Sequence, residues 1–390
     1  MVTQASVRPL LGTAALDECL PIRRPRILQV GKFWAPHYGG IETHLRELCH
    51  GLMSVVDVDV LVSNESRSYI EERDCDIRVT RMPRFAQVAS APLCPSMLPF
   101  LRESSADLVH LHLPNPPAVI ACLLSGYRGK LVVSVLSDIV RQKWMAKVLK
   151  PTVAALLRRA DAVISLSPNH VAHSPLLQPF RDKCHVIPHG VAFQSFDLVD
   201  REQVAQIRAR YGKPIVLAVG RLVYYKGFEF LIRAMRDIDA HLLLIGDGPL
   251  REQLIDTASH SGAQDKVSFL GNVDDLRPYY HACNVFVLPS IARSEAFGIV
   301  QLEAMACSKP VINTQLESGV PWVSLNGQTG ITVHPGDTQA LVEAISTLLS
   351  QPMLAARYGR AGRKRVEQEF ATETMVARTL QLYSQVLGIS

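Results

Sequence analysis

The chain has 390 residues, 48% of them hydrophobic and 20% charged, with a formal net charge of +5. That length exceeds one ordinary domain and suits two of similar size, each able to bury a full core. The mild basic excess suits anionic ligands or an anionic membrane surface, and falls short of the concentrated footprint of a nucleic-acid binder. Cysteines 19, 49, 75, 94, 122, 184, 283 and 307 are scattered with no C-x-x-C pair, which reads as a reducing compartment without a zinc site.

Residues 1–24 read as an N-terminal arm closed by Pro21 and Pro25. The start lacks a basic region followed by an apolar one, and no stretch approaches ~18 uninterrupted apolar residues. The expectation is a cytoplasmic protein, at most resting on the inner face of the cytoplasmic membrane. Structure begins at Arg26-Ile-Leu-Gln-Val30, a strand that breaks into Gly31 and then the Gly39-Gly40 turn. Ile41 to Met53 has helical spacing, with Leu45, Leu48 and Leu52 on one face. Further strands are expected at 58–62, 108–112, 131–135, 162–166 and 186–190, alternating with helices. This is the α/β pattern of a doubly wound parallel sheet. A polar segment from Asp197 to Lys213 leads away, and the alternation restarts with apolar runs at 215–219, 241–245, 267–270, 285–288 and 310–312. Two Rossmann-like units facing across a cleft follow. The closing helical run, Ala371 to Val386, belongs to neither unit by periodicity alone.

The residues richest in chemistry lie at 295–303. Glu295 falls in a strand-to-helix loop and Glu303 inside the helix begun by Phe297, Gly298 and Ile299, where unpaired N–H groups and the positive dipole end attract phosphate. At ~1.5 Å per helical residue the two carboxylates stand roughly 10–12 Å apart. That is wider than the ~5–9.5 Å of a pair working on one glycosidic bond. They read as clamps at two ends of one extended ligand, with its charged middle on the helix start. A nucleotide-sugar has that layout.

Other candidates stand beside their bland readings. Gly39 and Gly40 either admit a ligand close to the backbone or make an ordinary tight turn. Gly220-Arg221 and Lys226-Gly227 follow the first strand of the second unit, where an Arg fork and a Lys point charge converge on a diphosphate or form a solvated basic loop. His112, at a strand end, is a candidate for hydrogen bonding to substrate, whereas His110 reads as a core histidine; no third zinc ligand follows. Asp57-Val-Asp59 opens a strand and reads as loop chemistry rather than a metal site. Gly246-Asp-Gly-Pro249 reads as a structural turn. The segment 141–159 is basic and amphipathic, suited either to anionic lipid or to water.

Together these residues resemble the retaining glycosyltransferases of family 4, which have the two-domain GT-B fold. The resemblance covers nearly all of residues 25–390. It rests on Gly-Gly-Ile-Glu at 39–42, His-Leu-His-Leu-Pro at 110–114, Ser-Pro-Asn at 167–169, Val-Ile-Pro-His-Gly at 186–190, Gly-Arg to Lys-Gly at 220–227 and the Glu-x7-Glu span. It implies an acceptor domain over 25–197, a donor domain over 198–372, and a C-terminal helix at about 373–390 packing back on the first domain. It implies Glu295 on the donor sugar and Glu303 on the ribose. Arg221 and Lys226 would hold the diphosphate, and Phe297, Gly298 and Ile299 would supply amides. His112 would lie beside the transferred sugar, with Gly39, Gly40 and Gly220 near the phosphates. The base would rest by Asn272 and Val273.

A hexose would pass with retention from a nucleotide diphosphate sugar, UDP-linked first and GDP-mannose next, to a hydroxyl acceptor in polysaccharide or glycolipid synthesis. The acceptor is expected to be lipid-linked and reached at a membrane surface. No cofactor or essential metal is expected. Leu136 departs from the pattern, since many similar members carry histidine there. Two rival expectations remain: a nucleotide-sugar 2-epimerase, and a non-catalytic scaffold of a glycan assembly complex.

Overall fold

A computed structural model describes residues 24–37, 39–88, 91–137 and 143–389. Residues 1–23 of the expected arm lie outside them. The first unit contains β1 (Arg26–Val30), β2 (Asp57–Ser63), β3 (Ile70–Asp74), β4 (Ile77–Met82), β5 (Ala86–Val88), β6 (Ala91–Leu93), β7 (Leu108–Leu113), β8 (Lys130–Val135), β9 (Ala162–Ser165) and β10 (Cys184–Val186). Eight of them form one sheet, ordered β10-β9-β8-β7-β1-β2-β4-β3, while β5 and β6 pair separately. All neighbours in the large sheet run parallel except β3 against β4. The second unit has β11 (Ile215–Val219), β12 (His241–Ile245), β13 (Val267–Gly271), β14 (Val285–Val287), β15 (Val311–Thr314) and β16 (Gly330–Val333), all parallel, ordered β13-β12-β11-β14-β15-β16.

Both sheets are covered on both faces, which is why their strands read as unbroken apolar runs. In β11, Ile215, Leu217 and Val219 enter one core cluster and Val216 and Ala218 the other. In the first sheet, Leu28, Val109 and Val133 face one core, and Ile27, Leu108 and Val132 face the other. The alternation of a strand is present but hidden, because neither face meets water.

The sheet orders fix where a ligand can sit. β1 lies between β2 and β7, and β11 between β12 and β14, so the strand order reverses beside each of these strands. Open α/β sheets bind ligands in the crevice past the strand ends at such a reversal. The segments that emerge there are 32–37 and 39–40 after β1, 114–115 after β7, Gly220 to Lys226 after β11 and Ser290 to Ile299 after β14.

Two parts of the architecture depart from the expected element list, and the closing helix takes the place the resemblance implied. The polar segment 197–213 contains a helix, Arg201–Tyr211, started by Asp200, whose carboxylate accepts from the N–H groups of Glu202 and Gln203, and ended by Gly212 at φ 60°. β3, β4, β5, β6 and β16 were not expected, and β10 lies at 184–186 rather than 186–190; β3 is an exposed, charged edge strand and β16 has only four residues. The closing helix, Thr372–Leu387, returns to the first unit. Val191 N–H donates to Phe370 O at 2.8 Å, and a Cβ on Gly51 would lie 2.2 Å from Val376 Cγ2, so the two helices touch through a glycine.

Candidate active site

Gly227 shapes the cationic wall of the second domain. It holds φ 65°, and a Cβ there would stand 2.2 Å from Pro289 O, so only glycine lets the Tyr224–Lys226 turn tuck against the end of β14. The tuck brings Lys226 Nζ to 2.6 Å from Glu295 Oε2, which also accepts from Ser290 Oγ at 3.0 Å. Both partners are about nine-tenths buried. Gly220 leaves room for the lysine stem, since a Cβ would meet Lys226 Cε at 3.1 Å. Arg221 is exposed, and no hydrogen bond or ion pair joins its guanidinium to any other described residue.

The helix Ile299–Ala306 starts from Gly298 at φ 75° with no side-chain cap, so its first amide groups have no side chain to bond. The Phe297 ring is buried between the domains, 5.1 Å from His189 and 6.0 Å from Phe370. Its side chain anchors the helix start, leaving only the main chain for a ligand. One turn on, Glu303 Oε2 accepts from the buried Tyr280 hydroxyl at 2.6 Å. Burial pushes the Glu303 carboxyl up, while Tyr280 and Lys226 pull it back. Asn272 is exposed at the end of β13, and Val273 packs half-buried beside it.

On the first domain, Gly39 precedes the helix Gly40–Leu52, and a Cβ on Gly40 would lie 3.4 Å from Ile299 Cδ1. The two loops thus meet across the cleft. Beneath them, Gln29, His110, His112, Ser134 and Tyr383 form a buried polar network. Gln29 Nε2 donates to Tyr383 OH at 2.9 Å, and the Tyr383 hydroxyl, 2.6 Å from His110 Nδ1, must give its one proton to that nitrogen. His110 Nε2–H then donates to Ser134 Oγ at 2.7 Å. His112 Nε2–H donates to Gln29 Oε1 at 2.8 Å, which leaves His112 Nδ1 an acceptor, buried and without a partner among the described residues. His44 and His189 pack beside it, with ring centroids 4.3 Å apart. Burial drives all four imidazoles to the neutral form, His44 down to about 4 and His110 to about 3.

The fold therefore brings His112, Gly39, Gly40, Gly220, Arg221, Lys226, Glu295, Phe297, Gly298, Ile299 and Glu303 to the two strand-end crevices. Asp59 is held by Arg78 at 2.7 Å and Arg26 at 3.4 Å, as structural ion pairs. Leu136 is buried in the apolar cluster that continues into the second domain. Of the basic segment 141–159, residues 141–142 and the side chains of 143–149 lie outside the described residues. Arg159 is spent on the carbonyls of Tyr127 and Gly129.

The family model described as Glycosyl transferase 4-like domain matches residues 39–190, and the one described as Glycosyl transferases group 1 matches 199–365. The chain is 31% identical to the O-antigen chain mannosyltransferase C of Escherichia coli over 93% of this chain and 99% of that protein. The chain belongs to the group 1 glycosyltransferases. It is also 32% identical to the D-rhamnosyltransferase WbpZ of Pseudomonas aeruginosa, over 73% of this chain and 75% of that one. Sucrose-phosphate synthase from Thermosynechococcus elongatus superposes with a TM-score of 0.80 at 26% identity, covering 94% of this chain and all of that one. The fold is GT-B, two Rossmann-like domains about a cleft.

Several residues of this glycosyltransferase escape sequence reasoning. Gln29, His44 and Tyr383 are single polar residues in apolar or amphipathic runs. Tyr280 and Ser290 carry no motif. Lys32 had one available signal, its place directly after the Gly31 that ends the first strand.

Proposed function

We propose that this glycosyltransferase moves a hexose, with retention, from a nucleotide diphosphate sugar to a hydroxyl of a growing surface polysaccharide or glycolipid. The observation that carries the reading is the convergence of Arg221, Lys226 and an uncapped helix start with the buried Glu295 carboxylate. Cations and orphan amides at one point stabilise the charge that builds on a departing diphosphate, which makes a divalent metal dispensable. Glu295 Oε2 is occupied by Lys226 and Ser290, so its other oxygen is the one offered to a sugar hydroxyl. By the same logic Glu303 offers its second oxygen to the ribose, and His112 Nδ1 accepts a hydrogen bond from a sugar hydroxyl. A carboxylate so engaged is a poor nucleophile. This favours attack on the face the leaving phosphate departs from, with that phosphate taking the acceptor's proton.

The relatives named above are a mannosyl- and a D-rhamnosyltransferase, and a further relative is named as GDP-mannose-dependent, which moves GDP-mannose ahead of the uridine donor preferred from the sequence. The O-antigen relative likewise supports a polysaccharide chain as the acceptor class. The test incubates the purified protein with GDP-mannose or UDP-glucose in EDTA, with membrane vesicles supplying acceptor. Nucleoside diphosphate release that depends on acceptor, with an α-configured product by NMR, is expected. An altered sugar with no diphosphate released would replace the reading with epimerisation.

A further inference from the structure

Lys32 is the first residue past β1 and Gly31, at the reversal point of the first sheet. Its main chain is fixed: Lys32 O accepts from Ser63 N at 3.0 Å, and a Cβ on Gly31 would stand 2.3 Å from Leu45 Cδ2. The side chain is half-buried. Its ammonium lies 5.3 Å from the Phe33 ring centroid and makes no ion pair with any described carboxylate. Burial lowers its pKa most, Glu42 raises it from beyond ion-pair contact, and Arg221 of the other domain lowers it further. Two cations, one from each domain, thus stand at the strand-end crevices whose loops meet where Gly40 faces Ile299. Neither has an ion-pair partner among the described residues, whereas Lys226 is committed to Glu295.

We propose that Lys32 is the first domain's half of an anion clamp, holding the donor diphosphate against Arg221. This rests on the nucleotide-sugar reading of the cleft. A diphosphate bears charge on each phosphate, more than one guanidinium balances, and Lys226 shares its charge with Glu295, so the 220–227 loop alone leaves part of it unmatched. With the cleft empty, Lys32 and Arg221 repel across the domain gap. An anion between them replaces the repulsion with two attractions, so the domains close over an anionic ligand and not over a nucleoside.

Calorimetric titration of wild type, Lys32→Met and Lys32→Arg with GDP, UDP, guanosine and inorganic pyrophosphate tests the clamp. Methionine keeps the stem and removes the charge. It should weaken the bound nucleoside diphosphate about 10- to 100-fold, leave the ligand-free melting temperature unchanged, and be largely rescued by arginine. Wild-type affinity in Lys32→Met overturns the clamp and leaves the donor reading standing. If wild type binds pyrophosphate in a Lys32-dependent way but no nucleoside diphosphate, the clamp holds and the donor reading falls. Binding of no anion by wild type refutes both.

Discussion

Lowering the pH from 7 to 5 should destabilise this protein strongly, and the buried imidazoles set the amount. His44 has a folded pKa of about 4 and His110 of about 3, against 6.5 for the free side chain. A depressed folded value means that the unfolded chain binds the proton first. The stability due to the neutral ring is therefore complete above 6.5 and is lost as pH falls toward the folded value. Each imidazole costs about 1.4 kcal/mol per pH unit over that window, hence about 2 kcal/mol at pH 5 and about 4 kcal/mol for the two. That is a large share of the ~5–15 kcal/mol that usually holds a domain folded. Glu303, raised in the folded state, pulls the opposite way, but only where it titrates itself. Urea unfolding at pH 7, 6 and 5 measures the slope, with His44→Leu as control. His44 Nδ1 has no partner to lose, so the leucine variant should show a slope shallower by about 1.4 kcal/mol per pH unit. Equal stability at pH 7 and 5, or an unchanged slope in His44→Leu, would refute the neutral cluster.

Two further substitutions probe the donor side. Tyr280→Phe removes the hydroxyl that donates to Glu303 at 2.6 Å; it should cost about 1.5–3 kcal/mol in stability and weaken nucleotide binding, read by urea melts and calorimetry. Gly227→Ala forces a side chain at φ 65° into Pro289 O; it should destabilise by at least about 2 kcal/mol and impair turnover by displacing Lys226, whereas a stable, active variant would contradict the packing described.

Most strands of both sheets were readable because burial on two faces makes them continuous apolar runs, as in His241–Ile245 and Val285–Val287. β3 was not, because Ile70–Asp74 is a charged edge whose partner strand, rather than its own composition, makes it a strand. The grouping of Glu295, Glu303 and Gly220 through Gly227 at the strand ends was readable because they are close in sequence and bracketed by strong element signals. The histidine network was not. Gln29 and Tyr383 are 354 positions apart, and nothing local marks either as the other's partner. Lys32 likewise acquires meaning only when Arg221 is carried opposite it by a different domain. The return of the closing helix entered through family resemblance, and its physical cause, the glycine contact at Gly51 with Val376, is visible only in three dimensions.

The central claim is that Glu295 serves the donor sugar while its lysine serves the diphosphate, and Glu295→Gln separates the two. Glutamine keeps the shape and frees Lys226, so affinity for the nucleoside diphosphate should be retained or raised, while turnover of the nucleotide-sugar falls at least about 100-fold. Calorimetry and acceptor-dependent diphosphate release on the same preparation read both quantities. Wild-type turnover in Glu295→Gln, or loss of diphosphate binding together with turnover, would contradict the account.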